Sequence, residues 1–580
     1  MFKLLRFFKW YTWVLCALVV GIIVFQVNLE MELIAKMGDI ISLISIIENT
    51  ATATVTSSMV WDIGIKMILI ALGICASVVL VNFLASTISS NFAKTLRTNV
   101  FKKVNSFSME EMNKFSVASL ITRTTNDVKQ VEQTVFVMLR MAITAPVMGA
   151  YAISKIVNSS VTLTWTTAGA VLALLALVML LFFVAVPKFS QIQKKTDRIN
   201  NVTRENLTGI RVVRAYDAEK EQEQKFENVN KDLTKTQLFV NRAMALMWPG
   251  MDLIMNALSV AIYFIGAFLI DGGSLVYSDL VVFVSYSMHV VMSFMFIAML
   301  FVVIPRGVVS GRRINEVLET VSKVKDGKGT QDNTVVGEIE FRNVSFRYPD
   351  AEMNTLENIS FKVNKGQTIA FIGSTGSGKS TLVNLITRFY DASFGEILID
   401  GENIKNYKIS DLNNKIGYVP QQGYLFSGTV KSNLLYGNEN ATDEQIEKAL
   451  EISQSDFVKN LEGGVNAEIA QGGTNVSGGQ RQRLSIARAI IKNPEFYIFD
   501  DSFSALDYKT DKTLRKELSQ YTKDATKIIV AQRVGTIMDA DQIVVLSEGK
   551  IVGIGTHKEL LNTCDVYKEI ALSQLDKEEL

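Results

Sequence analysis

Long apolar runs dominate the first half of the chain, whereas the second half mixes apolar and charged positions as a soluble α/β domain does. A membrane-spanning helix needs about 20 largely apolar residues, and the apolar runs predict six such helices. They cover residues 10–30, 64–88, 134–155, 161–186, 247–270 and 278–304. We therefore predict a multidomain chain: an all-α six-helix transmembrane domain over 1–310, a linker over 311–335 and an α/β domain over 336–575.

Positive charge is unevenly distributed among the segments that connect these helices. Segments 91–133 and 187–245 are rich in Lys and Arg, whereas segment 32–62 contains only Lys36. Because basic connections stay on the cytosolic side of a membrane, both basic segments and both termini are predicted to be cytosolic. We interpret the basic segments as helices that continue out of the membrane and end in short transverse turns. They either transmit force from a cytosolic domain or are charged surface helices without a special role.

Overall charge and cysteine usage narrow the function classes. The 59 Lys and Arg residues nearly balance the 58 Asp and Glu residues, so no nucleic-acid partner is expected. Cys16, Cys75 and Cys564 are far apart and fit no metal-site spacing, so reduced packing residues are expected. The chain is thus predicted to be a multi-pass cell-membrane protein whose partners include membrane lipids.

A glycine-rich loop lies between a predicted strand and a predicted helix of the α/β domain. Residues 367–372 favour a strand and 382–389 a helix, which is the context that supports a G-x-x-x-x-G-K-[ST] motif. Such a loop points backbone N–H groups at phosphate oxygens, and the helix dipole adds to the attraction. We expect Lys379 to neutralise the β and γ phosphates of ATP and Ser380 to bind Mg²⁺. The predicted ATP-binding residues are Gly373, Ser374, Thr375, Gly376, Ser377, Gly378, Lys379, Ser380 and Thr381.

An apolar run that ends in an acid supplies a second part of this site. Residues 496–499 are Phe-Tyr-Ile-Phe, and Asp500 follows them. This pattern is typical of a buried parallel strand with a carboxylate at its carboxyl end. We predict that Asp500 holds the Mg²⁺ shell; the alternative is a surface aspartate that follows a buried strand.

A stretch between these two motifs carries a resemblance to a known family. It reads Val476-Ser-Gly-Gly-Gln480, followed by Arg481-Gln-Arg-Leu-Ser-Ile-Ala-Arg-Ala, and it resembles the signature motif of ABC ATPases. The resemblance implies that Tyr348 stacks on adenine and that Gln421 is the Q-loop residue, which contacts nucleotide and Mg²⁺. Family ATP-binding domains pair head to tail, with ATP between the phosphate loop of one and the signature of the other. The signature residues that would contact the partner's ATP are Ser477, Gly478, Gly479 and Gln480.

The first half of the chain also resembles this family's exporters. Residues 120–127 and 205–214 are similar to the two intracellular-loop patterns, and 312–318 to the linker between the halves. Exporters of this kind have coupling helices that touch the ATP-binding domains, which favours the force-transmitting interpretation. The implied coupling-loop residues are Glu205, Arg211 and Arg214. The resemblance also implies a bacterial cytoplasmic membrane.

Three positions depart from the family's active pattern. Asp501 stands where the family normally has a catalytic glutamate, and Gln532 where it has a switch histidine. A carboxylate withdrawn by about 1.5 Å, one C–C bond, positions a water molecule poorly. Glutamine cannot exchange a proton near neutral pH. The loop 470–473 is also altered, and Val476 replaces the usual leucine of the signature.

These departures resemble the degenerate-site subunit of heterodimeric bacterial multidrug exporters. The resemblance implies ATP-driven export of small amphipathic substrates together with a second, different half-transporter. This chain's own site, with Lys379, Asp501 and Gln532 as its catalytic residues, would then be slow. The alternatives are a homodimer with slow hydrolysis, an exporter of a specific substrate such as a lipid, and a regulatory or channel-like use of the fold.

Overall fold

The structure is a computed structural model that describes residues 2–49, 57–329 and 336–575. The chain forms two compact units. The first comprises Met1–Asn105 and Val117–Glu319, and the second comprises Ser106–Ser116 and Thr320–Leu580. Residues 330–335 of the predicted linker lie outside the described residues.

The first unit is built from long α-helices. The helices up to residue 319, of which α3 belongs to the second unit, are α1 (Trp10–Asn49), α2 (Ser57–Asn105), α3 (Met109–Lys114), α4 (Val117–Thr122), α5 (Val128–Ser159), α6 (Val161–Thr208), α7 (Ile210–Ala215), α8 (Glu219–Ala245), α9 (Met247–Asp271) and α10 (Tyr277–Glu319). A 3₁₀-helix (Phe2–Phe7) precedes α1, and a π-helical turn (Arg123–Asp127) joins α4 to α5.

Six helical segments among the described residues are long and apolar enough to cross a membrane, and each contains one predicted span. They are Trp10–Ile44, Ser58–Asn105, Val117–Ser159, Val161–Thr208, Glu219–Asp271 and Tyr277–Glu319. The basic segments are indeed helices that continue beyond the apolar spans, and the short helices α3 and α7 lie within these segments. The six-helix prediction is therefore confirmed.

Small residues let α5 and α10 approach each other closely. A Cβ atom added at Gly307 of α10 would lie 2.2 Å from Oγ1 of Thr134, and one added at Gly149 of α5 would lie 2.6 Å from Oγ of Ser293. Thr134 and Ser293 are themselves buried. Close packing of small residues is a usual means of association between helices in membranes.

Helix α10 extends into the predicted linker. Helix α10 continues to Glu319, past the predicted boundary at residue 310. Its last turns remain helical because Ile314 and Val317, three positions apart on one face, are fully buried. The segment 311–319 is thus the end of a helix.

The second unit contains the α/β domain. Its strands are β1 (Ile339–Phe346), β2 (Leu356–Val363), β3 (Thr368–Gly373), β4 (Phe394–Ile399), β5 (Glu402–Asn403), β6 (Ile416–Val419), β7 (Gly428–Thr429), β8 (Glu468–Ile469), β9 (Phe496–Asp500), β10 (Thr526–Val530), β11 (Gln542–Ser547) and β12 (Lys550–Gly555). Its remaining helices are α11 (Lys379–Ile386), α12 (Ile409–Lys415), α13 (Val430–Leu434), α14 (Asp443–Ile452), α15 (Gly478–Lys492), α16 (Tyr508–Tyr521), α17 (Val534–Ile537), α18 (His557–Thr563) and α19 (Asp565–Leu572).

The order of the strands explains how distant motifs meet. A six-stranded sheet runs β12-β11-β3-β10-β9-β6, in which only β12 is antiparallel to its neighbour. Strands β9 and β10 are buried along their whole length, as central parallel strands are. Because parallel strands end at the same edge of a sheet, the residues that follow β3, β10, β9 and β6 come together there.

Candidate nucleotide site

The predicted phosphate loop connects β3 to α11. Gly378 precedes the first residue of α11 and adopts a left-handed conformation, with φ +99°. A Cβ atom there would lie 2.6 Å from Cδ2 of Leu356, so only glycine fits this turn. Ser374, Thr375 and Gly376 are exposed on the rim of the loop. The loop therefore presents its backbone at the start of α11, where an anion is favoured.

The ammonium group of Lys379 lies inside this loop. Its Nζ atom donates hydrogen bonds to the carbonyl oxygens of Gly373 and Ser374, each at 2.8 Å. Burial lowers the pKa of Lys379, while the nearby carboxylates of Asp501 and Asp500 act in the opposite direction. A phosphate group would offer this ammonium a stronger partner than a neutral carbonyl.

Ser380 and Asp500 form an oxygen pair beside the loop. Ser380 Oγ donates to Oδ1 of Asp500 at 3.2 Å, which joins α11 to the carboxyl end of β9. Burial raises the pKa of Asp500, and the hydrogen bond from Ser380 partly offsets that effect. A hydroxyl and a carboxylate are the hard oxygen donors that Mg²⁺ takes, and Mg²⁺ usually fills its other positions with phosphate and water. These residues therefore fit the predicted metal.

Asp501 is held by two glutamines. The Nε2 atoms of Gln421 and Gln532 donate to the same Oδ2 atom of Asp501, at 3.2 and 2.9 Å. The backbone N–H of Asp501 donates to the Val530 carbonyl at 2.9 Å, and Asp501 has φ +46°. Burial raises the pKa of Asp501, against the hydrogen bond from Gln421. Three of the predicted site residues thus share one hydrogen-bonded cluster.

Tyr348, the predicted adenine partner, lies against α11. Its Oη atom is 3.1 Å from Oγ1 of Thr381, the residue that follows the phosphate-loop motif. Its ring meets those of Phe346 and Tyr390 edge-on, at centroid distances of 4.8 and 5.3 Å. The structure therefore brings the predicted aromatic next to the phosphate loop.

The signature residues lie apart from this cluster. Ser477 caps α15: its Oγ accepts from the Gln480 N–H at 3.3 Å, and Gln480 Oε1 accepts from the Ser477 N–H at 2.9 Å. Ser477 and Gly478 are exposed. Within the described residues, no hydrogen bond joins residues 477–480 to the phosphate loop. The signature residues therefore form the exposed start of a helix.

The predicted coupling-loop residues lie in the first unit, at the turn around α7. Glu205 accepts hydrogen bonds from Lys225 Nζ at 3.1 Å, and Arg211 and Arg214 are exposed. Apart from the contact between Glu205 and Lys225, these three side chains have no hydrogen-bond or ion-pair partner among the described residues. Their coupling role stays a prediction.

Gln482 is a residue near this site that the sequence analysis did not identify. This side chain is 1% exposed; its Oε1 accepts from the Gly423 N–H at 2.8 Å and its Nε2 donates to the Pro420 carbonyl at 2.9 Å. It therefore fastens the loop that carries Gln421 to the helix that follows the signature. Helical periodicity in the sequence could have indicated that Gln482 is buried, because it shares a helical face with Ile486 and Ala489, both of which are buried.

Comparisons with known proteins agree with this architecture. The family model described as "ABC transporter transmembrane region" matches residues 31–294, and the model "ABC transporter" matches residues 356–504. An uncharacterized ABC transporter ATP-binding protein of Mycobacterium tuberculosis is 40% identical over 502 residues, which cover 85% of each chain. A Bacillus subtilis protein of the same description, YfiB, is 36% identical over 527 residues, 90% of each chain.

Two further similarities span nearly the whole length. A Staphylococcus aureus protein named as a multidrug export ATP-binding/permease protein is 31% identical over 581 residues, 98% of each chain. The structure of a bacterial Atm1-family ABC exporter with ATP bound superposes with a TM-score of 0.79 and 23% identity over 99% of each chain, which shows the fold. With its transmembrane and ATP-binding domains in this order, the chain belongs to the ABC transporter family and has the ABC exporter fold.

Proposed function

We propose that this chain is one half of a heterodimeric exporter of amphipathic, drug-like molecules, and that its own ATP site hydrolyses slowly. The observation that carries the proposal is the position of Asp501, whose Oδ2 atom accepts from both Gln421 and Gln532. A general base needs a free oxygen within hydrogen-bond reach of the attacking water. Here one carboxylate oxygen is occupied by two amides.

The residue types support the same conclusion. Aspartate is one methylene shorter than glutamate, so its carboxylate lies about 1.5 Å further from the nucleotide for the same backbone. Gln532 supplies an amide that donates a hydrogen bond but cannot exchange a proton near neutral pH. The binding groups, in contrast, are all present: Lys379, Ser380 and Asp500. A site of this kind should hold ATP with Mg²⁺ and turn it over slowly.

The outward-facing signature supports a requirement for a second chain. Exporters of this family work as dimers, and the exposed Ser477 and Gly478 are where a partner's triphosphate would bind. The signature departs from the family's pattern only at Val476, so it would complete an active site on the partner. The name of the Staphylococcus aureus relative supports drug-like substrates. In this proposal both termini are cytosolic, because the basic segments 91–133 and 187–245 stay inside.

A pair of matched lysine substitutions tests the assignment. The chain is co-purified with a candidate half-transporter that has glutamate and histidine at the two altered positions, and ATP turnover is measured in proteoliposomes. Lys379→Ala should leave most of the turnover, whereas the same change at the partner's phosphate-loop lysine should abolish it. The reverse result would assign hydrolysis to this chain and refute the proposal.

Purification of the chain alone addresses the alternatives. A folded, drug-stimulated ATPase without any second chain would establish a homodimer. ATP-dependent flux of a lipid but of no drug would change the substrate class. ATP binding without flux of any substrate into vesicles would favour a regulatory use of the fold.

A further inference from the structure

The first residues of the described chain are basic and lead directly into the first apolar span. Lys3, Arg6 and Lys9 lie three positions apart, and no acidic residue precedes Glu30. Lys3 and Arg6 belong to the N-terminal 3₁₀-helix, in which side chains three positions apart lie on one face. The first span begins at Trp10. Three positive charges therefore lie at one end of a membrane span, which is the depth of the lipid headgroups.

This N-terminal segment is packed against other helices of the first unit. The Leu4 side chain is fully buried, and the Phe8 ring meets the ring of Phe92 in α2 edge-on, with centroids 4.7 Å apart. The Lys3 Nζ atom donates to Oε1 of Glu319, the last residue of α10, at 3.0 Å. The segment is therefore a fixed part of the unit, and its basic side chains have defined neighbours.

Arg6 and Lys9 have aromatic neighbours but no carboxylate partner. The Arg6 guanidinium lies 5.0 Å from the centroid of the Phe7 ring, and the Lys9 Nζ atom lies 5.7 Å from that of the Tyr11 ring. Both basic side chains are exposed, and neither forms an ion pair within the described parts of the chain. Lys3 differs, because its ammonium group is already bonded to α10. Arg6 and Lys9 are thus available to an external anion.

Exposed aromatic side chains follow these cations directly. Trp10 is 79% exposed, Trp13 is 53% exposed, and Tyr11 between them is exposed as well. The rings of Trp10 and Tyr11 meet edge-on, with centroids 6.4 Å apart. Trp and Tyr favour the boundary between lipid headgroups and acyl chains, because their rings combine an apolar body with a polar atom. A soluble anion would leave these rings in water, whereas a phospholipid would cover the rings and the cations together.

We propose that the N-terminal segment is a binding site for an anionic phospholipid. The lipid phosphate accepts hydrogen bonds from Arg6 and Lys9, and Trp10 and Trp13 contact the glycerol region and the first part of the acyl chains. Hydrogen bonds between a cation and a phosphate are strong because both partners are charged, and basic residues beside a membrane span attract anionic lipids. A zwitterionic lipid binds more weakly, because these cations repel its ammonium group. This inference requires the membrane spans but not the heterodimer, the substrate class or the orientation of the chain.

Lipid titration of the full chain in detergent tests this site. Native mass spectrometry measures the affinity of the delipidated chain for its first phosphatidylglycerol or phosphatidylcholine molecule. The native chain should favour phosphatidylglycerol by about fivefold or more. Each of Arg6→Gln and Lys9→Gln should weaken phosphatidylglycerol binding by about fivefold and the double variant by more than about tenfold, with phosphatidylcholine binding unchanged. Arg6→Lys/Lys9→Arg, which keeps both charges, should bind like the native chain.

Lys36→Gln/Lys66→Gln is the matched control, because it removes the same charge elsewhere in the first unit. Both of its ammonium groups already have carboxylate partners: Lys36 pairs with Asp39 at 2.9 Å and Lys66 with Asp62 at 2.7 Å. The affinity of this control for phosphatidylglycerol should stay within about twofold of the native value. Equal losses in the control and in the double variant, or a native chain without preference for phosphatidylglycerol, would overturn the proposal.

Thermal stability gives a second readout. A ligand that binds only the folded state raises Tm, so phosphatidylglycerol should raise the Tm of the native chain and of the control but not that of Arg6→Gln/Lys9→Gln. Without lipid the three chains should melt together, because the Arg6 and Lys9 side chains are exposed. If the double variant does not fold, the two single variants decide the question. Displacement of the lipid by millimolar inorganic phosphate would identify a site for a free anion and refute the lipid assignment.

Discussion

At the scale of single residues, the phosphate-site chemistry could be predicted, but its hydrogen bonding could not. The roles predicted for Lys379, Ser380 and Asp500 follow from their spacing and from the strands around them. The structure joins Ser380 to Asp500 beside the loop that holds Lys379. The convergence of Gln421 and Gln532 on one oxygen of Asp501 depends on side-chain conformations that no sequence pattern encodes. This arrangement of side chains nevertheless leads to a prediction about the rate of ATP hydrolysis.

Restoration of the longer acid and of the imidazole should raise hydrolysis. In the assembled transporter with the partner's phosphate-loop lysine changed to alanine, Asp501→Glu/Gln532→His should increase residual ATP turnover at least about tenfold, because a positioned base contributes that much or more. Phosphate release under saturating ATP is the measurement. Asp501→Asn/Gln532→His serves as the control, since it restores the imidazole without a carboxylate. Equal rates in the two variants would contradict the role assigned to Asp501.

The buried amide of Gln482 should matter for stability. Gln482→Ala leaves the Pro420 carbonyl and the Gly423 N–H without their partners, so we expect a loss of about 1–3 kcal/mol. The melting temperature of the full chain in detergent reports the change. Gln471→Ala, at an exposed position, is the matched control and should leave the melting temperature nearly unchanged.

At the scale of elements, the sequence predicted the six helices and the strand–loop–helix order well, because apolar length and glycine spacing are local signals. It could not predict that α3 packs with the second unit. The hydrogen bond between Ser322 and Glu111 joins residues 211 positions apart, and nothing in either segment marks the other. Contacts at such separation become visible only when the chain is folded.

The charge of Glu111 predicts how the stability of the chain responds to pH. Burial alone would raise the pKa of Glu111, but the hydrogen bonds from Ser108, Lys323 and Ser322 outweigh it and leave the pKa below its ordinary value of 4.5. A carboxyl group with a lowered pKa stabilises the folded state above its ordinary pKa, and this contribution is lost as pH falls toward the lowered value. The stability difference between the native chain and Glu111→Gln should therefore be constant from neutral pH to about pH 5 and shrink below it. Chemical denaturation at a series of pH values measures this difference, and a difference that grows on acidification would contradict the assignment.

The close approach of α5 and α10 predicts that a glycine at their contact tolerates substitution less well than a glycine with no neighbouring atom. Gly307→Ala should cost about 1–3 kcal/mol, because the new methyl group would overlap the buried Thr134 side chain. Gly169→Ala in α6 meets no atom within 4 Å and should be neutral or stabilising. Melting temperatures in detergent compare the two variants. Equal losses at both positions would mean that helix–helix packing at residue 307 is looser than described.

At the scale of the whole molecule, the sequence predicted two domains, and the structure has two units with different membership. Residues 106–116 interrupt the helical unit and belong with the ATP-binding unit, whereas the predicted linker residues 311–319 belong to α10. The family resemblance extends over nearly the full length, as relatives that cover up to 98% of the chain show. The sequence could not show that residues 106–116, which lie between two segments of the first unit along the chain, belong to the second unit.

The positions of Asp501 and Gln532, each just after a buried strand, have an evolutionary consequence. Both residues follow fully buried parallel strands, so the backbone that carries them is set by β9 and β10 and not by their own side chains. Aspartate and glutamate differ by one nucleotide in their codons, and so do glutamine and histidine. With the roles proposed for these two residues, one copy of a duplicated gene would lose or regain fast hydrolysis through two point changes, without any rebuilding of the domain around them.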